Sequence, residues 1–147
     1  MTYLNLQRLL TITLLVMAGC SAIPPDAHMA AFSTQMTGQN QVPIVATPAT
    51  GRLVAALDKN TRLFRWKLTY SGLSGPANAA HFHGPASIGV NARITLAFSG
   101  PLKSPYEGRA ILTAAQAADL IEGKWYASIR TPGHPSGEIR GQLTLRE

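Results

Sequence analysis

Alternation with a period of two constrains this chain most. In "LFRWKLTY", Phe64, Trp66, Leu68 and Tyr70 share one face of an extended segment, while Arg65, Lys67 and Thr69 share the other. That is the pattern of a half-buried antiparallel strand. "RITLAF" repeats it with Ile94, Leu96 and Phe98 inward, and "EIRGQLTL" with Ile139, Leu143 and Leu145 inward and Glu138, Arg140, Gln142 and Thr144 outward. Gly- and Pro-rich turn signals separate these runs: "DKN" at Asp58, "SGLSGPAN" at Ser71, "SGPLKSPYEG" at Ser99 and "TPGHPSG" at Thr131. Short strands at such intervals predict an all-β antiparallel sandwich or small Greek-key barrel of roughly seven or eight strands.

One segment follows a different period. "LTAAQAADLIEG" offers Thr113 as N-cap, Gln116 three residues on for a capping box, apolar Ala117, Leu120 and Ile121, and Gly123 as a stop. It predicts one short helix near residues 114–122.

The first residues belong to a different kind of element. Arg8 is followed by an uncharged apolar run from Leu9 to Met17. As a helix, Leu9 to Gly19 reaches only about 16 Å, short of the roughly 30 Å hydrocarbon core. The run therefore matches a signal-peptide core, residues 1–19, rather than a membrane span. It ends in Met17-Ala18-Gly19-Cys20, which resembles the bacterial lipobox with Met in place of the usual Leu.

Cys20 is the only cysteine, so no intrachain disulfide forms and the thiol is explained as the lipidation site, the alternative being an ordinary secretory signal cut near the small residues of "MAGCSA". The expectation is an exported protein, anchored to the membrane through Cys20 in the bacterial cell envelope. Ser21, rather than Asp, follows the cysteine and favours the outer membrane. "SAIPPDAHMAA", from Ser21 to Ala31, is Pro-containing and aperiodic, so residues 20–31 are expected to form a tether and residues 32–147 the domain.

Export and charge distribution together narrow the partners. Removing the signal takes away Arg8 alone from thirteen basic residues, leaving a net charge of +5 against seven acidic residues. The basic residues are scattered apart from Arg62, Arg65 and Lys67, with no clustered stripe for nucleic acid. Solvated strand faces beside anionic headgroups fit this distribution, and an envelope protein or polysaccharide is the other partner class. No phosphate loop, nucleophile elbow or cysteine pair is present.

"AHFHGPA", Ala80 to Ala86, places His81 and His83 on one face of an extended segment, with Phe82 pointing oppositely into the core. The histidines are then expected on the outer face, near solvent. Imidazoles so placed suit copper, and less well zinc. Two ligands do not complete a site, and the candidates for a third are His134 in the last hairpin loop and Glu138 just beyond it.

"AHFHGPA" and "GEIRGQL", Gly137 to Leu143, together resemble the two signatures of the CHRD domain family. "QVPIVATPATGRL" from Gln41 resembles the family's opening strand, and "LTAAQAADLIEGKWYASIRT" its helix and following strand. The resemblance spans roughly Phe32 to Leu145 and implies an immunoglobulin-like β-sandwich. It also bears on the histidines. Many members carry a third histidine where this chain has Arg130 in "YASIRT". Arginine stays protonated and has no acceptor nitrogen, so it does not replace that ligand.

A non-catalytic binding or interaction module is therefore the leading expectation, and a copper site at His81, His83 and His134, with superoxide dismutation or copper handling, is the alternative. Alternation also places Tyr126, Ser128 and Arg130 beside Glu138, Arg140 and Gln142 on an outward polar strip. Arg–Glu pairing across the hairpin is its commonplace explanation. A surface for a protein, glycan or acidic ligand is its functional one.

Overall fold

The computed structural model describes residues 27–146. The expected signal peptide, Cys20 and the first part of the tether lie outside the described residues. Nine strands and one helix follow in the order β1 (Met29–Thr37), β2 (Thr50–Asp58), β3 (Leu63–Ser71), β4 (Ala79–His83), β5 (Ile94–Ala97), β6 (Tyr106–Ile111), α1 (Ala114–Ile121), β7 (Tyr126–Thr131), β8 (His134–Gln142) and β9 (Thr144–Leu145). β1 thus begins inside the segment expected to be tether. No helix among the described residues is long and apolar enough to cross a membrane.

All pairings are antiparallel. One sheet runs β5-β4-β7-β8-β1-β2-β3-β6, with β9 added beside β1. Its two four-stranded halves join where Thr37 of β1 lies opposite Arg140 of β8. The fold is all-β with a single short helix, as the periodicity implied, but the sheet is continuous and curls into a half-barrel around its core.

Phe64 of β3 meets Phe82 of β4 edge-on at 5.3 Å, and Trp66 meets Phe82 at 5.1 Å. The core is therefore made where the two halves face each other. Phe32 and Trp125 complete the cluster around Phe64. Each such aromatic pair adds about 1 kcal/mol beyond the area it buries. At the open side Phe98, just after β5, stacks on Tyr106 of β6 at 5.3 Å, and the Tyr106 hydroxyl bonds Ser99. Side chains, rather than a backbone ladder, close the curl there.

The helix forms as its sequence dictates. Thr113 Oγ1 accepts from the Gln116 amide, Gln116 Oε1 accepts from the Thr113 amide, and Ala117 and Leu120 are buried.

Two inward assignments are corrected. Ile94 is exposed, because the β4–β5 register slips between Phe82 and His83, and a one-residue slip turns a side chain to the opposite face. Leu145 sits at the rim on two-residue β9 and is also exposed.

Candidate functional site

Most of the outward face of β4, β7 and β8 is covered. His83, Tyr126, Ser128, Glu138 and Arg140 are all buried, which corrects the expectation that they lie near water, while His81, Arg130 and Gln142 are half-buried. The reason is a roof of two aperiodic segments, residues 38–45 and 84–93, that fold over the face. Asn91 Nδ2 donates to the Val42 carbonyl, tying the two segments together.

The strip holds this roof down. Arg140 Nη1 donates to Asn91 Oδ1 at 2.9 Å and Nη2 to the Val90 carbonyl at 2.8 Å. The Tyr126 hydroxyl accepts from the Ala92 amide at 3.0 Å. Gln142 Nε2 donates to the carbonyls of Ala86 and Gly123. On the other segment, Gln41 Nε2 donates to Ser128 Oγ at 3.1 Å and Asn40 Nδ2 to the Arg140 carbonyl. Tyr126, Arg140 and Gln142 are therefore fastenings within the fold.

His83 joins them. Its ring stacks on Tyr126 at 4.8 Å, and its Nδ1 lies 3.0 Å from the Ala92 carbonyl. A carbonyl only accepts, so Nδ1 carries the proton and Nε2 carries the lone pair. That Nε2 is buried without a partner, as are His81 Nδ1 and Arg130 Nε. Burial lowers the pKa of both histidines, and the Arg130 charge lowers each further. Both rings are held neutral.

Glu138 does not pair with Arg130. Four residues of β8, from Pro135 to Glu138, bulge against Arg130 alone, because Thr131 lies opposite His134 and Ile129 opposite Ile139. The carboxylate instead accepts from the hydroxyls of Thr131, Ser74 and Thr47, each at 2.7 Å, and from the Ser74 amide at 2.9 Å. Burial pushes its pKa up, but these hydrogen bonds outweigh burial and hold it at about 2.

The signature glycines are steric. Gly137 has φ +130°, and a Cβ there would stand 2.6 Å from Ser128 Oγ. At Gly141 a Cβ would be 2.6 Å from the Gln35 carbonyl of β1, and at Gly84 it would be 2.7 Å from the Lys124 carbonyl.

Between roof and strands a cavity of about 440 Å³ remains, lined by Gln41, His83, Asn91, Ser128 and Arg130 among others, with no carboxylate in its wall. His134 does not line it; it lines an adjoining hollow with Gly133, Val45 and Gly137, which shares Gln41, Pro43 and Pro135 with the first. Among the described residues, no group of three or more His, Cys, Asp or Glu is arranged to hold a metal ion. His81 and His83 are neighbours, their ring centroids 5.7 Å apart.

Sequence reasoning missed Gln41, Asn91, Thr47 and Ser74. Gln41 stood in the "QVPIV" motif, but nothing local marked it as the partner of Ser128.

One family profile, that of the CHRD domain, matches residues 32–143 and so takes in the roof segments, the cavity wall and both signatures. Searches of curated proteins and of solved structures return no significant match. The chain belongs to the CHRD domain family.

Proposed function

We propose that the protein is an exported, lipid-anchored envelope component whose CHRD domain is a non-catalytic binding module for an acidic saccharide. The observation that carries this reading is the carboxylate-free cavity beside Arg130, whose Nε lacks a partner. A uronate offers what the wall lacks: a carboxylate to accept from Arg130, and hydroxyls to donate to the His83 Nε2 lone pair. The anchor rests on Met17-Ala18-Gly19-Cys20 and on a lone thiol with no other use.

The test is an NMR titration of the domain with short oligogalacturonates. Saturable shifts at Ser128 and Arg130, lost in a folded Arg130→Gln variant, are expected; an unperturbed spectrum at millimolar ligand overturns the saccharide reading. The anchor is tested separately by labelled palmitate incorporation, which Cys20→Ser should abolish.

One observation favours copper as a second reading. The Nδ1–H of His83 donates to a backbone carbonyl and frees Nε2, the orientation that metal-bound histidines commonly have. Against it stand the two-imidazole count and the adjacent Arg130 charge. Copper titration decides: one tightly held Cu(II) per chain, lost in His81→Ala, would favour this reading over the first.

A further inference from the structure

A second surface lies away from the roofed cavity, on the outer face of β2, β3 and β6. Arg52, Arg65, Lys67 and Arg109 are all exposed there. Arg65 stands directly opposite Arg109 in the β3–β6 ladder. Like charges directly opposite destabilise a sheet, so this pairing is unfavourable for the isolated domain. Among the described residues neither arginine has a carboxylate partner: the ion pairs are Lys67–Glu107, at 3.4 Å, and Lys124–Glu122. Arg65, Lys67 and Arg109, with Glu107 beside them, line a shallow concavity of about 500 Å³ together with Val54, Ala56 and Gly108. Beyond Arg109 on the same face of β6, Ile111 is 74% exposed.

The chain enters the sheet beside this surface. Met29 lies opposite Asp58, and the Lys59 amide donates to the His28 carbonyl, so the N-terminal segment leaves next to the β2–β3 hairpin. Leu63 and Ile111 lie opposite each other at that same end. Eight residues lie between Cys20 and Met29, and the nine Cα–Cα steps reach about 30 Å at most. A lipid on Cys20 would hold this end of the domain at the bilayer surface.

We infer that the β2–β3–β6 face docks on anionic lipid headgroups, Arg65 and Arg109 taking phosphates and Ile111 the interface. The inference draws on the proposed anchor for orientation, while the charge arrangement stands without it. Headgroup phosphates neutralise the opposed arginines, and the field of the membrane favours them further.

The test uses a chain beginning at Ala27, which retains every pairing described above and carries no lipid. Its sedimentation with phosphatidylcholine vesicles is measured with and without phosphatidylglycerol. Binding is expected only with phosphatidylglycerol, to weaken at high salt, and to fall roughly thirtyfold in Arg65→Gln/Arg109→Gln, about fivefold per charge. The double variant should melt no lower than wild type, since it relieves a repulsion, and Arg130→Gln should bind vesicles normally.

Equal binding to both vesicle types, or undiminished binding by the double variant, overturns the inference. So does loss of oligogalacturonate binding in the double variant without any vesicle binding, which assigns the face to polysaccharide. Because no acylated residue is present, failure here is distinct from failure of palmitate labelling.

Discussion

The guanidinium of Arg140 lies over the ring of Tyr126, 3.4 Å from its centroid, while His83 stacks on the same ring from the strand on the other side of β7. The three side chains form one ladder across β8, β7 and β4, and each also bonds the segment from Val90 to Ala92. Both sequence signatures of the domain therefore contribute to a single clasp on one loop.

Arg140→Ala should release that clasp. It removes two hydrogen bonds from a charged group and the contact with Tyr126, a loss of about 3 kcal/mol. Arg140→Lys should recover little of it, since an ammonium lacks the planar fork that reaches Asn91 and Val90 together. Denaturant unfolding measures the loss, and hydrogen exchange should localise faster opening to residues 84–93. Unchanged exchange there would contradict the fastening role.

Glu138 should make the domain acid-sensitive in a defined window. Its folded pKa of about 2 lies below the ordinary 4.5, so its contribution to stability is full above about pH 4.5 and is lost as pH falls toward 2. Glu138→Ala leaves three hydroxyls and the Ser74 amide without their acceptor, at a cost of about 3 kcal/mol. Unfolding midpoints of wild type and variant should differ most at neutral pH and converge only as pH falls toward about 2.

The parts of this architecture that depend on neighbours in sequence were legible. Phe64, Trp66 and Phe82 reach the core because alternation sends them there, and the Thr113–Gln116 capping box starts α1 where the residues allow it. Ile94 was misplaced because a register slip, decided by the partner strand, reverses its face. The site was less legible still. Glu138 takes its hydrogen bonds from Ser74 and Thr47, 64 and 91 residues away, and the roof over His83 and Arg140 has no period to announce it. Polar alternation indicated which side chains left the core, and the loops then decided whether they met water.

Gly141 should tolerate no side chain. A Cβ there would run into Thr34 and the Gln35 carbonyl on β1, close to the one position where β8 pairs with β1. Because a backbone atom is among those struck, Gly141→Ala should destabilise by at least about 2 kcal/mol, and Thr34→Ala added to it should restore only part. Gly100, at positive φ but with open space around it, is the contrast: alanine there strains the backbone alone. Thermal melts of the three variants should rank Gly100→Ala the mildest.

The histidines define a second pH window, separate from that of Glu138. Burial, with the charge of Arg130 added, lowers the pKa of both His81 and His83 from 6.5. Unfolded histidines take up protons below about 6.5, while the folded rings resist until lower pH. Stability is therefore full above that value and falls as pH drops from about 6.5 toward the folded pKa values. Only the neutral form of His83 keeps the Nε2 lone pair that a hydroxyl or a metal ion would use. His81→Gln should flatten the decline that begins as pH drops below about 6.5 while leaving the Glu138 loss below about pH 4.5 in place. Arg130→Gln should raise both histidine pKa values in an NMR titration, because it removes a charge that opposes their protonation. Titration curves unchanged by Arg130→Gln would show that this arginine does not face the pair, and would remove it from the cavity chemistry.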